Sequence, residues 1–267
     1  MFSSQRIQKV KKLNSQNLES LITDNCLVLI IEDFYSKESS KILAEQILKS
    51  IHIEKYTHEL IEETKLVQKY YGVDRIGNPF NSTYGLSPEN ETVNKYYEEI
   101  NTSRERLRNY SYPAITPIDK LRLELDEQFI HGANVANFQG KKMLAGIARI
   151  AKENLSYLSA EQPHFDALPE KYCKLDEQFA ANIYLKIPDS GGELEIWDVP
   201  ACNPLAAIPD DWRAHLPNSI KISPTIGDLI IFNSRKPHAI SSFRGEARIS
   251  LQTFIGYKKN HALQIWN

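Results

Sequence analysis

Residues 162–171, QPHFDALPEK, set His164 and Asp166 two apart in a chain with only 7 histidines. Extended backbone there turns both side chains to one face and Phe165 to the other, because side chains alternate along a strand. The pair means little without partners, and the rest of the chain supplies them. His238 follows the apolar run GDLIIFNSRKP, placed at the end of that strand. Ten residues further on, ARISLQTFIGY puts Arg248, Ser250 and Gln252 on one strand face, with Ile249, Leu251 and Thr253 on the other. Two imidazoles and one carboxylate suit Fe(II). Gathered on one side of an octahedral ion, they leave positions for a bidentate cosubstrate and then O2. Arg248 suits a separate carboxylate of that cosubstrate, gripped by its planar fork, and Ser250 adds a donor on the same face.

Taken singly, each residue has a blander explanation. His238 alone reads as a satisfied structural histidine, His164 and Asp166 as a loop pair, and Arg248 as a surface ion-pair partner. Order, spacing and strand context together favour the iron site. The same ligands would also serve a Zn or Mn hydrolase, in which Arg248 has no obvious task. Cys173 lies near His164, but no oxyanion-hole element accompanies it as a nucleophile.

Further candidates carry less. Arg149 in LAGIARIAK, and Asn182 and Tyr184 in AANIYLK, are polar residues on apolar strands that either face the cosubstrate or lie at an exposed sheet edge. Trp197 in ELEIWD is a candidate substrate wall, with core packing as the alternative. The stretch YYGVDRIGNPFNSTYG (70–85) reads as a structured loop and a candidate lid. From it Tyr70, Asp74, Arg75, Asn81 and Tyr84 would reach a polar substrate, unless the loop simply packs on the sheet.

The elements that must hold these residues are mostly strands. After residue 140, MLAGIARIA, FAANIYLKI, GELEIWDV, SIKISPT, GDLIIFNS and ARISLQTFIGY are short apolar or alternating runs. PDSGG, SPTIGD, RKPH and FRGE punctuate them as turns, which predicts an antiparallel sandwich or jelly roll. IPDSGGEL reads as a connection between adjacent antiparallel strands. Upstream, CLVLIIEDFYSKESSKILAEQILKSI predicts a buried strand and then a helix capped by Ser36, with Glu38 in its first turn and Leu43, Ile47 and Ile51 at helical spacing. Residues 56–112 mix helix with loop, and Thr116–Pro117 opens another helix. The expected fold is mainly β with flanking helices: one domain over 1–267, with an N-terminal helical and loop elaboration that has an opening strand over 1–140 and a jelly-roll core over 141–260.

Bulk properties narrow the classes. At 42% hydrophobic and 25% charged, 267 residues can bury a sizeable core as an ordinary soluble protein. A net charge of -2 gathers neither nucleic acid nor anionic membrane. The longest apolar run, CLVLII, is far too short to span a bilayer, and no apolar region follows the basic N-terminus as a secretory signal requires. Cys26, Cys173 and Cys202 are widely spaced and read as reduced thiols of a cytoplasmic protein. The partner expected is a small molecule; oligomeric state is not legible.

HFD … GGELEIWD … IGDLIIFNSRKPHAISSFRGEARISLQTFIGY resembles the 2-oxoglutarate- and Fe(II)-dependent dioxygenases, most strongly over about 145–257, and LVLIIEDFYSKES resembles their strand–helix opening. The resemblance implies a double-stranded β-helix (jelly roll, cupin-like) core. His164, Asp166 and His238 would be the iron ligands, and Arg248 with Ser250 would hold the distal carboxylate of 2-oxoglutarate. More narrowly, IPDSGGELEIWDV and FIGYKKNHALQIWN look similar to the carrier-independent alkaloid halogenases and the related N-acyl amino acid hydroxylases. Those halogenases have glycine where this chain keeps Asp166. The resemblance therefore implies hydroxylation of an unactivated C–H bond, in a free or N-modified amino acid or a specialised metabolite, with release of succinate and CO2. Desaturation, cyclisation or halogenation within the same group, a protein or nucleic-acid demethylase, and a non-catalytic cupin-like binding protein are the rivals.

Overall fold

The computed structural model describes residues 6–62, 65–153, 162–203 and 211–267. The chain opens with β1 (Ile7–Val10), α1 (Ser15–Ile22), β2 (Val28–Ile31) and α2 (Lys37–Leu48). Ser36 caps α2 as its sequence predicts, its hydroxyl accepting from the Ser39 N–H at 3.0 Å, and Glu38 complements the helix dipole in the first turn. The hairpin β3 (Glu54–Glu62) and β4 (Lys65–Ile76) precedes a short 3-10 helix at Phe80–Thr83, then α3 (Glu91–Ser111) and α4 (Pro117–Gln128). Thr116 and Pro117 are the N-cap and first residue of α4, as expected. Short strands β5 (Ala133–Val135), β6 (Asn137–Phe138) and β7 (Lys141–Lys142) lead to β8 (Ile147–Ala151), β9 (Glu177–Lys186), β10 (Ser190–Gly191) and β11 (Leu194–Ile196). After α5 (Trp212–His215) come β12 (Ile220–Ile222), β13 (Leu229–Asn233), β14 (His238–Ile240), β15 (Phe243–Arg244), β16 (Arg248–Tyr257) and β17 (Leu263–Trp266).

A large sheet runs β1-β2-β13-β9-β16-β8-β4-β3, with β17 also paired to β16 and β5 to β17; a smaller sheet runs β12-β11-β14. Alternation decides what each face of the large sheet does. Ala181, Ile183 and Leu185 of β9 and Ile249, Leu251 and Ile255 of β16 pack with Leu18, Leu43, Ile47, Leu121 and Leu125 of the helices. Ala180 and Tyr184 of β9, with Phe254 of β16, face instead the small sheet's Leu194, Ile196 and Ile222. The class is mainly β with a jelly-roll core, as predicted. Full burial of one Leu or Ile side chain is worth about 1.5–3 kcal/mol. A one-residue slip of β16 would exchange Ile249 and Leu251 for Arg248, Ser250 and Gln252 in the helix-side core, so the register is strongly specified.

Four expectations change. The N-terminal half supplies more than the one expected opening strand, since β1–β4 extend the large sheet at its two ends. Residues 56–112, read as helix and loop, begin with the β3–β4 hairpin. The stretch 70–85, read as a loop, is strand as far as Ile76 and a 3-10 helix at 80–83. The cause is Gly72, at φ 74° within a bulge: Lys55 pairs with Asp74 but Thr57 with Tyr70, so extra β4 residues loop out. A bulge glycine and a turn glycine look alike in sequence.

IPDSGGEL, in turn, does not join paired strands. It carries the chain from β9 in the large sheet to β11 in the small one, while β10 within it pairs with β15. Gly191 permits this at φ 77°, where a Cβ would lie 2.0 Å from the Ser242 carbonyl oxygen. The left-handed backbone costs a larger residue about 1–2 kcal/mol and the overlap about 1–3 more. Gly191→Ala is therefore expected to destabilise by about 2–5 kcal/mol. Denaturant unfolding checks this, and an unchanged midpoint contradicts the close approach.

Among the described residues no helix is long and apolar enough to cross a membrane, and Cys26, Cys173 and Cys202 are free.

Candidate active site

β13 stops at Asn233, and the turn that follows carries the chain to the small sheet, so His238 opens β14 rather than closing the apolar strand. There it forms an antiparallel bridge with His164: the His164 N–H donates to the His238 carbonyl at 3.0 Å and the reverse bond is 2.8 Å. Asp166, two residues on, is pinned by its backbone. Its N–H donates to the Ser234 carbonyl at 2.8 Å, and its own carbonyl accepts from Ser234 Oγ at 3.0 Å and Gln178 Nε2 at 3.2 Å. One potential ligand atom from each of His164, Asp166 and His238 lies within 4.8 Å of the others.

The hydrogen bonds fix the imidazole tautomers. His164 Nδ1 lies 3.0 Å from the Gln162 carbonyl oxygen and His238 Nδ1 lies 2.9 Å from that of Lys236. A carbonyl only accepts, so each neutral ring carries its hydrogen on Nδ1 and keeps a lone pair on Nε2. His238 Nε2 then faces Asp166 Oδ2 at 3.5 Å, two acceptors with no hydrogen to share. A cation satisfies both, and the donor set of two imidazoles and a carboxylate fits Fe(II). Burial and the neighbouring His238 push the His164 imidazole down to about 4. Burial alone would raise the Asp166 carboxyl, but His238, His164 and Arg149 together hold it at about 2. At neutral pH the His164 ring is therefore uncharged with its Nε2 lone pair open and Asp166 is a carboxylate, so an incoming metal has no proton to displace from either ligand atom.

The floor beside this trio comes from the inner faces of β8, β9 and β16. Ser250 pairs with Arg149 on one side and Tyr184 on the other, and Gln252 pairs with Asn182. All five line one cavity with His164, His238 and Arg248, closed by Leu194, Phe232, Ala239 and Ile240. Arg248 is only 6% exposed; its Nε donates to the Gly192 carbonyl at 3.1 Å and its Nη2 to the Tyr184 hydroxyl at 3.1 Å. No carboxylate among the described residues pairs with it. A buried guanidinium with only neutral partners is costly, so the cavity suits an anion there.

Residues 155–256 match the sequence model of the 2OG-Fe(II) oxygenase superfamily. This stretch belongs to that superfamily. No curated protein sequence matches the chain. Among solved structures, the chain is similar to an N-substituted L-amino acid dioxygenase from Burkholderia ambifaria. The TM-score is 0.62 at 14% identity, with 95% of this chain and 91% of that one covered, a likeness of fold. A form of that dioxygenase in complex with α-ketoglutarate aligns with a TM-score of 0.49 at 12% identity over 80% of this chain and all of the other. Fe(II) and 2-oxoglutarate are the cofactors of this oxygenase.

Around the oxygenase cavity the remaining candidates sort by strand parity. Asp74 pairs with Ile150, whose side chain belongs to the helix-side core, so its carboxylate points away from the cavity. It is bound instead by Lys152 Nζ at 2.8 Å and the Tyr70 hydroxyl at 3.0 Å, which removes Tyr70 too from the site. Arg75 shares the face of Arg149, its pairing partner, but is held by Glu54 at 3.0 Å, the Gly77 carbonyl and Asn78. Asn81 accepts from the Tyr56 hydroxyl at 2.7 Å, and the Tyr56 ring lies 5.3 Å from the Arg149 guanidinium carbon, so Asn81 stands one residue behind the cavity wall. Tyr84 packs on Phe80 and Tyr172; burial and then the nearby Asp166 charge raise its hydroxyl pKa. Trp197 is no cavity wall. Leu194 and Ile196 point inward, while Trp197 lies under Arg213, 5.1 Å from its guanidinium carbon.

Sequence reasoning did not assign Gln252, which bonds Arg149; Tyr56; the Gly192 carbonyl; or the Gln178 and Ser234 groups that fix Asp166. Gln252 was findable, since it shares the parity of Arg248. The others act through backbone atoms or across distant elements and leave no local signal. A wider groove of about 610 Å³ between α3 and α4, lined by Arg108, Tyr112, Ile115, Asp119 and Leu123 among others, contains none of these residues.

Proposed function

We propose that the chain hydroxylates an unactivated C–H bond of a small molecule, a free or N-modified amino acid or a specialised metabolite. The observation that carries this is one cavity lined both by the two histidines of a two-histidine, one-carboxylate set and by a buried arginine without an acidic partner. His164, Asp166 and His238 hold the metal. Arg248, Ser250 and Tyr184 receive the distal carboxylate of 2-oxoglutarate, and Asn182 lines the wall beside them. With Fe(II) and 2-oxoglutarate bound, the chemistry supplied is oxidative decarboxylation to succinate and CO2 with transfer of one oxygen atom to the substrate. Leu194, Phe232, Ala239 and Ile240 exclude water from that event. Asp166 fills the position that chloride would need, which favours hydroxylation over halogenation.

Fold likeness to a protein named an N-substituted L-amino acid dioxygenase supports placing that compound class first in a screen. The test supplies Fe(II), 2-oxoglutarate and O2 with free, N-acyl and N-methyl amino acids. Succinate is expected to form in step with a product one oxygen atom heavier. A chlorinated product overturns the hydroxylase assignment, and no succinate with any compound indicates a cupin-like binder.

A further inference from the structure

We infer that Arg149 anchors a carboxylate of the substrate, so that the molecule oxidised is an anion. The inference rests on the proposed function, with Fe(II) and 2-oxoglutarate in the cavity, and it follows from the charges that line it. The two imidazoles count as neutral here, because a histidine that gives its Nε2 lone pair to a metal carries a hydrogen on Nδ1 alone, the atom that faces the Gln162 or Lys236 carbonyl. Among the described residues, the charged side chains lining the cavity are Arg149 and Arg248, and the acid beside them is Asp166. Two charges on Fe(II) and two on the guanidiniums stand against one on Asp166 and two on 2-oxoglutarate. One positive charge is left over in a site walled by apolar side chains, where an unmatched charge is expensive.

The position of Arg149 says where that charge sits. The two ends of 2-oxoglutarate are already provided for, one at the metal and one at Arg248 with Ser250 and Tyr184. Arg149 has only neutral company: its Nη1 donates to Gln252 Oε1 and its guanidinium lies against the Tyr56 ring, 5.3 Å from the centroid. Its neighbour across the β4–β8 ladder, Arg75, makes the contrast, because Glu54 pairs with that guanidinium at 3.0 Å. Arg149 nevertheless lies near the chemistry, since it lines the same cavity as His164, His238 and Tyr184. A planar fork held by a glutamine and an aromatic face, with donors to spare, matches a carboxylate and holds it in a fixed orientation. Asn182, on the next rung from Ser250 and paired with Gln252, adds a neutral amide for a polar group of the same molecule.

The test uses the anaerobic complex with Fe(II) and saturating 2-oxoglutarate, so that binding is read without turnover. Calorimetric titration compares N-acetyl-L-leucine, N-acetyl-L-phenylalanine and benzoate with their carboxamides, in wild type, Arg149→Gln and Arg149→Lys. In wild type the acids are expected to bind at least about tenfold tighter than the amides, the value of one charge-assisted hydrogen bond. Arg149→Gln is expected to erase that preference while 2-oxoglutarate affinity is unchanged, and Arg149→Lys to retain part of it. A wild-type complex that binds no acid of the series, or acid and amide alike, overturns the anchor. So does an Arg149→Gln protein that loses 2-oxoglutarate affinity, which would make Arg149 a cosubstrate ligand. Failure of wild type to bind 2-oxoglutarate with Fe(II) at all would instead overturn the proposed function.

Discussion

Asp166→Ala is expected to abolish oxygenation and leave the protein folded. In the proposed site Asp166 would contribute the one carboxylate of the metal set and the one negative charge against Fe(II). Losing an outer partner of a metal ligand already costs about 10–100-fold in affinity or activity, and losing the ligand itself costs more. The fold survives because the backbone at 166 is held from outside: Ser234 and Gln178 bind its N–H and carbonyl whatever the side chain. Removing the carboxylate also leaves His164 and His238, rings 4.4 Å apart, to share a cation with nothing to offset its charge. Iron titration followed by succinate assay checks the prediction. Wild-type turnover by Asp166→Ala sinks the ligand role, whereas unfolding would show that the residue is structural.

Arg248→Met is expected to separate cosubstrate binding from stability. The arginine is buried against Gly192 and Tyr184 without an acidic partner, so in the empty protein it is an uncompensated charge. Replacing buried charge by an apolar side chain of similar length is often neutral or stabilising by about 1–4 kcal/mol. The 2-oxoglutarate carboxylate, by contrast, loses two charge-assisted hydrogen bonds of roughly 1.5–3 kcal/mol each, or about 10²–10⁴-fold in affinity. The expected signature is a melting temperature equal to wild type or above it, together with a 2-oxoglutarate requirement raised at least about a hundredfold. A lowered melting temperature with unchanged 2-oxoglutarate dependence would mean that Arg248 serves the fold alone.

The site is more legible than its surroundings, and parity explains why. On β16 the alternation of Arg248, Ser250 and Gln252 with Ile249, Leu251 and Thr253 survives folding unchanged, because both faces of the strand are buried and neither tolerates the other's residues. The same rule, applied to β11, would have turned Trp197 outward, since Leu194 and Ile196 occupy the inner face. In β4 the signal is hidden instead, because the bulge at Gly72 loops residues out between Tyr70 and Asp74 and makes a strand look like a loop. Tyr56 and Asn81 meet Arg149 only through tertiary packing of the hairpin and the 3-10 helix on β8, which no local pattern announces. The bridge between His164 and His238 joins residues 74 positions apart, so spacing suggests it but cannot show it.

The central claim is that His164, Asp166 and His238 bind a metal to which 2-oxoglutarate chelates. The direct measurement is an anaerobic titration of the metal-free protein with Fe(II), then 2-oxoglutarate, followed by visible absorption. A weak charge-transfer band that appears only when both are present, and is absent in Asp166→Ala, is the predicted result. No band from a folded protein with iron bound would contradict it, leaving a metal site that takes no keto acid.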